Sequence, residues 1–204
     1  MIKNIIFDMG QVLIHWRPYM FTSGYGLSEE EEQLLIKEVF TNMEWPQLDR
    51  GTISDEDAIA SVNKRLPERF HPIVADIISG WWKRPLVPME GMESVVKELK
   101  ENGYGIYLLS NASLWLRQYF HRIPGSQYFD GHIVSAEHKL LKPQHEIYET
   151  LFERYQLVPE ECFFIDDSPY NIEGAYMCGM PGAVFHGDVE ELRYNLQNAG
   201  IKLL

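Results

Sequence analysis

Cysteine is scarce: Cys162 and Cys178 are the only two in 204 residues. Their spacing matches no metal motif, and two thiols make no disulfide framework. Both read as small buried hydrophobes, Cys162 on a strand and Cys178 near the end of a helix, in a reducing, cytoplasmic setting. No apolar run is long enough to span a bilayer. The first strand begins at Ile2, which leaves no room for a signal peptide. Basic residues are also in deficit, 18 against 30 acidic, for a net charge of −12. That field disfavours nucleic acid or an anionic membrane as the main partner, although a few local cations can still hold a small anion. Repeats and low-complexity tracts are absent. What is present is ordinary: a 45% hydrophobic, 24% charged chain reads as a soluble globular protein, long enough for one domain or for a core with a smaller insert.

Along the chain, Ile2 to Phe7 is a short apolar strand running into Asp8 and Gly10. Gln11-Val12-Leu13-Ile14 follows as a tight flap, and His15-Trp16-Arg17-Pro18 leaves the sheet. Ser28 with Glu31 makes a capping box before the stripe Leu35, Ile36, Val39, Phe40, so the run Glu29–Glu32 is a helix start and a solvated face, not a metal site. Ser54 caps a second helix with Ile59, Val62 and Leu66 inside, and a third covers Pro72 to Trp82. From Pro88 the pattern alternates. Helices are predicted over 92–102, 114–121, 144–156, 168–178 and 190–198, and strands over 105–109, 131–135, 161–165 and 182–185. Alternation of this kind implies a parallel sheet with right-handed crossovers and helices on both faces, a Rossmann-like α/β core. The first strand needs the later ones to pair with. The helical block is therefore an inserted cap: the expected division is a core of 1–16 and 85–204 and a cap of 17–84.

Asp8, Ser110 and Asp166-Asp167 each directly follow a predicted strand, and Lys142-Pro143 precedes a helix. In a parallel sheet the carboxyl ends share one edge, so the four patches converge on one crevice. Three carboxylates together repel, and a divalent cation relieves them; hard oxygen donors plus a ligand phosphate suit Mg²⁺. Asp8 is then free to act as a carboxylate nucleophile. Ser110 offers a hydroxyl, with backbone N–H groups at the following helix start to hold phosphate oxygens. Lys142 supplies positive charge to the phosphoryl group and to Asp8.

These four patches make the chain resemble the haloacid dehalogenase-like (HAD) superfamily, subfamily I, with a small helical cap. Phe7-Asp8-Met9-Gly10, Leu109-Ser110-Asn111, Lys142-Pro143 and Asp166-Asp167-Ser168 match its four motifs, and the resemblance runs the length of the chain. Within the superfamily it is most similar to the bacterial α-D-glucose-1-phosphate phosphatase group and to the phosphatase domain of soluble epoxide hydrolases. The resemblance implies that Asp8 is the nucleophile and a Mg²⁺ ligand. It implies that Gly10 gives its carbonyl to the metal, that Asp167 ligates directly, and that Asp166 acts through water or from behind. Ser110, Asn111 and Lys142, with Met9 and Gly10, would bind the phosphoryl group. Asn171 would support the metal from the first turn of its helix. The implied reaction is Mg²⁺-dependent hydrolysis of a small phosphorylated metabolite, a hexose 1-phosphate favoured, through an aspartyl-phosphate, by a monomer or homodimer.

One position departs from the pattern. The family's usual second aspartate, which protonates the leaving group and activates water, is Gly10 here. Its loss is worth roughly 10²- to 10⁴-fold in rate. Either another residue helps or the leaving group needs little help. Gln11 is placed to orient water, and His15 reads as a hinge residue of the flap. Trp16, Arg17, Trp45 and Asp49 in the cap are candidates to face the crevice, with Trp81 and Trp82 near the return crossing. Three rivals remain: a binding protein that keeps the phosphate pocket without turnover; a metal-independent haloacid dehalogenase, against which the acidic pair argues; and a phosphoryl mutase or transferase, against which Gly10 argues.

Overall fold

The computed structural model describes residues 1–203. In chain order its elements are β1 (Asn4–Phe7), β2 (Ile14–His15), α1 (Tyr19–Thr22), α2 (Glu29–Phe40), α3 (Glu44–Arg50), α4 (Asp55–Asn63), α5 (His71–Gly80), β3 (Val87–Pro88), α6 (Met92–Glu101), β4 (Gly105–Ser110), α7 (Leu116–Tyr119), β5 (Gly131–Val134), α8 (Ser135–His138), α9 (His145–Tyr155), β6 (Cys162–Asp166), α10 (Pro169–Met177), β7 (Gly182–Val184) and α11 (Val189–Asn198). Five strands form one parallel sheet in the order β5-β4-β1-β6-β7. β1 is central, with Phe7 opposite Leu108 on one side and Ile165 on the other.

Strand side chains alternate between faces, and this chain is apolar on both. Ile5, Phe7, Ile106, Leu108, Phe163 and Ile165 pack with the α6 stripe and with Leu192 and Leu196 of α11. Ile6, Leu109, Ile133 and Phe164 pack on the other side with Ile147 and Leu151 of α9 and Ala175 of α10. The result is the α/β sheet with helices on both faces that the alternation predicts. Among the described residues, no helix is long and apolar enough to cross a membrane.

The segment from Tyr19 to Gly80 is helical without a strand. It is entered through β2 and left through β3, which pair antiparallel, Ile14 opposite Pro88. The capping box at Ser28 is present, with Glu31 N–H on the Ser28 hydroxyl and Ser28 N–H on the Glu31 carboxylate. The β2–β3 pair, two residues a strand, and the short helices α1, α3 and α8 were not legible in the pattern, and Ser135, expected to end a strand, opens α8. α3 carries Pro46 in its first turn, where no helical N–H is missed. Conversely, the helix predicted over 114–121 shortens to α7 and a 3₁₀ turn, Phe120–Arg122. Pro124 sets this limit, because the residue before a proline is pushed out of the helical region, and Ile123 is extended.

A charge cluster ties the helical segment together. Arg65 holds Glu38 of α2 and Glu44 of α3, each at 2.7 Å, and the Ser61 hydroxyl donates to Glu44 at 2.6 Å. The Arg65 hydrogen bond is the main reason that Glu44 is pushed down to about 2. A depressed carboxylate contributes stability above its unfolded value, and that contribution is lost as pH falls from 4.5 to about 2. Glu44→Gln is therefore expected to cost about 1–2 kcal/mol at pH 7, solvent at the third-exposed Arg65 screening part of the pairing. The gap to the wild type should close as pH approaches 2. Urea unfolding at pH 7 and pH 3 checks it; an equal gap at both pH values would show that the pairing is not the cause.

Candidate active site

The carboxyl edge of the sheet gathers the motif residues where β1 sits between β4 and β6. Asp8 follows β1 directly. Ser110 and Asp166 are the last residues of β4 and β6 and not the first beyond them, so Asp167 is the first residue off its strand. The Lys142 ammonium lies 2.8 Å from Asp8 Oδ1 and 2.7 Å from Asp166 Oδ2, and donates to the Leu109 carbonyl at 2.9 Å. Three donors meet three acceptors, which makes a buried lysine tolerable. Asp166 is fully buried and also accepts from Ser168 N–H at 2.8 Å and Asn171 Nδ2 at 3.0 Å. Ser168 stands before α10 as predicted but makes no side-chain cap; the Asp166 carboxylate takes its N–H instead. Asp167 is exposed. Carboxylate oxygens of Asp8, Asp166 and Asp167 lie within 4.8 Å of one another.

Electrostatics follow from this crowding. Burial pushes Asp8 up to about 7; Lys142 pulls against it, and Asp166 adds to it. Asp167, open on one side, is raised by partial desolvation of its carboxyl and then by Asp166. Burial draws Lys142 down, but Asp166 and Asp8 outweigh it and the net shift is upward, so the ammonium stays charged.

Asn111 clamps Lys142. Its Oδ1 accepts from Lys142 N–H at 2.8 Å and its Nδ2 donates to the Lys142 carbonyl at 3.2 Å. The helix start expected just after Ser110 is displaced: α7 opens only at Leu116, and Ala112 N–H is already given to the Ser135 hydroxyl at 2.8 Å. The helix start read after Ser110 is therefore corrected: the five intervening residues, 111–115, form a loop that packs on α8.

Above Asp8 lies a cavity of about 110 Å³. Met9, Gly10, Ser110, Asn111 and Ala112 line its lower part, and Trp16, Trp45, Asp49, Trp81 and Tyr119 close it. Trp16 packs against Trp45 and Trp81, with ring centroids 5.5 and 6.2 Å away. Of the cap residues singled out in the sequence, Trp16, Trp45, Asp49 and Trp81 thus reach the cavity. Trp82 does not; it stacks on Trp115 at 4.8 Å. Gln11, His15 and Arg17 line a second depression beside Asp167 and His186. The Gln11 side chain accepts from Trp16 N–H at 2.7 Å and so sets the flap that aims Trp16. Sequence reasoning missed Tyr119, which is buried and whose hydroxyl donates to Met9 Sδ at 3.6 Å. No motif marks it.

Asp49 is held from behind. The Ser135 hydroxyl donates to its carbonyl oxygen, and the chain turns at Gly51 with φ +71°. A Cβ on Gly51 would lie 2.4 Å from the Ala136 carbonyl oxygen. Gly51→Ala therefore forces α3 off α8. It is expected to lower stability by about 1–3 kcal/mol and to reduce turnover with it; thermal unfolding and rate on the same sample check this, and an unchanged melting point would contradict the close approach. Burial first, then the Asp8 charge, push the Asp49 carboxyl up to about 8, against the Ser113 backbone amide.

Comparison with known proteins decides the family. The model for haloacid dehalogenase-like hydrolases matches residues 2–179. The chain belongs to that family. This hydrolase is 30% identical over 189 residues to the sesquiterpene phosphatase astK of Aspergillus oryzae, covering 88% of each chain. It is also similar to a HAD family enzyme of Bacteroides thetaiotaomicron solved as a magnesium complex, at 25% identity and a TM-score of 0.64, over 90% of this chain and 93% of that one. The L-2-haloacid dehalogenase of Xanthobacter autotrophicus shares the fold at 19% identity and a TM-score of 0.65, over 99% of this chain and 85% of that one. The HAD-like resemblance read from the four motifs is thereby shown.

Proposed function

We propose that this HAD-like hydrolase is a Mg²⁺-dependent phosphomonoester hydrolase working through an aspartyl-phosphate on Asp8. The observation that carries the reading is the Lys142 ammonium held between Asp8 and Asp166, with Asp167 beside them. Hard carboxylate oxygens within 4.8 Å of one another fit Mg²⁺. Asp8, Asp167 and the Gly10 carbonyl would hold the ion, with Asp166 behind them. It would neutralise charge on the phosphoryl oxygens. Asp8 attacks phosphorus, Lys142 and Ser110 hold phosphoryl oxygens, and Asn111 fixes Lys142 through its backbone. Asn171 keeps Asp166 in place.

The wall of the cavity bears on the substrate. Three indoles, Tyr119 and Met9 offer a small phosphate ester an apolar surface and few partners for sugar hydroxyls. That favours a compact apolar leaving group over the hexose 1-phosphate suggested by the resemblance, and the similarity to a sesquiterpene phosphatase points the same way. The reading of residues 17–84 as a cap and the rest as a core fits this placement, since α3 and the first turns after β2 supply the upper wall.

The test is phosphate release, with and without Mg²⁺, from prenyl, short alkyl and hexose monophosphates. Mg²⁺-dependent release, fastest on the apolar esters, is expected. Binding of Mg²⁺ and a phosphate mimic without turnover would make the chain a binding protein. Metal-free hydrolysis of 2-chloropropionate would make it a dehalogenase.

A further inference from the structure

We propose that Asp49, carried on α3 over the cavity, is the general acid and base of the reaction, in the place that Gly10 leaves without a side chain. The proposal rests on the phosphatase reading above and adds a residue to it.

Of the residues that line the cavity, Asp8, Asp49 and Tyr119 are ionisable. Asp8 is the nucleophile. Tyr119 already gives its proton to Met9 Sδ, and burial raises its pKa well above the ordinary tyrosine value, which makes it a poor acid. Lys142 and Asp166 lie behind Asp8 and are occupied by each other. His15 and Arg17 open on the second depression and not on the cavity. Asp49 alone adds to Asp8 a second, unassigned carboxyl on the wall of the same cavity. It is also fixed there. Ser135 holds its carbonyl and Gly51 presses the end of α3 onto Ala136, so its backbone cannot swing away without breaking a contact to the sheet domain. Trp16, Trp45 and Trp81 stand with it on the cavity wall.

The chemistry balances. An Asp8 oxygen attacks phosphorus. The bond from phosphorus to the ester oxygen breaks, and that oxygen leaves with the electron pair and takes the Asp49 proton as the alcohol. The Asp49 carboxylate then removes a proton from water as the water oxygen attacks phosphorus. The bond from phosphorus to Asp8 breaks, its pair returns to the Asp8 carboxylate, and phosphate leaves with Asp49 protonated again.

Stopped-flow release of 2,4-dinitrophenol and of a simple alcohol from their phosphate monoesters tests the assignment, with Mg²⁺, in wild type and Asp49→Asn. Dinitrophenolate needs no proton. With that ester Asp49→Asn should release one equivalent within about tenfold of the wild-type rate, then turn over about 10²- to 10⁴-fold more slowly. With the alkyl ester the first equivalent itself should slow by that amount. The burst also shows that the variant is folded. Gly10 leaves room for a side chain, since its Cβ would meet only Trp16 Cβ at 3.7 Å. Gly10→Asp added to Asp49→Asn should therefore restore at least about tenfold of the lost turnover. Losses equal for both esters and both phases, or no loss at all, would overturn the role of Asp49 while leaving an active wild type as a phosphatase. A wild type that releases phosphate from neither ester would overturn the phosphatase reading itself.

Discussion

Asp8→Asn should lower Mg²⁺-dependent phosphate release by about 10⁴-fold or more and leave the protein folded. Removing the nucleophile of a covalent mechanism eliminates the path and does not merely weaken it. The amide keeps the shape of the carboxylate, so Lys142 still has Asp166 and the Leu109 carbonyl at 2.7 and 2.9 Å. Stability should not fall. A buried carboxyl raised to about 7 binds its proton more tightly folded than unfolded. The wild type therefore loses stability as pH rises from 3.8 through about 7. A neutral amide does not titrate, so in chelator at pH 8 the variant should melt no lower than the wild type. Acid-quenched phosphoenzyme should vanish with the activity. Residual turnover within about 100-fold of wild type would assign the nucleophile elsewhere.

Lys142→Met has the second large effect, and it strikes stability as well as rate. The side chain is about the same length, so packing survives, but the charge between Asp8 and Asp166 is gone. Breaking a buried ion pair from one side typically costs about 3–5 kcal/mol, because the partner remains buried and charged. Here two carboxylates are stranded, one of them with no exposed surface. The cost should be greatest at pH 8. It should shrink towards pH 5 as the carboxyls, with nothing to hold them ionised, take up protons. Turnover should fall about 10³-fold with the loss of transition-state charge stabilisation. Adding Asp166→Asn should return part of the stability and none of the activity. Urea unfolding at the two pH values measures the first effect. A loss of less than about 1 kcal/mol at pH 8 would mean that water reaches the carboxylates.

The parts of this protein that were legible in the chain are those written within a few residues. Ser28 and Glu31 are three apart and form their box. Met92, Val95, Val96 and Leu99 have helical spacing and are all buried. A strand running into Asp8, another ending in Ser110 and a third in Asp166 could be placed on one edge because parallel strands align their ends. The same short range explains the failures. The expected cradle after Ser110 assumed that the helix begins at once, and only the packing of that loop on Ser135 shows that it does not. The tie of the Asn111 side chain to the Lys142 backbone, 31 residues away, also lies beyond that range.

The sequence by itself determined the sheet, the polarity of its edge and the meeting of Asp8, Asp166 and Lys142 there. Each depends on local periodicity or on residue chemistry that survives any plausible packing. The tertiary structure alone decided the cavity. Tyr119 meets Met9 across 110 positions of chain, and Asp49 meets Ser135 across 86. No local pattern encodes such contacts, because they are fixed by how the helical segment lies on the sheet. That placement brings Asp49 onto the wall of the same cavity as Asp8 and Gly10.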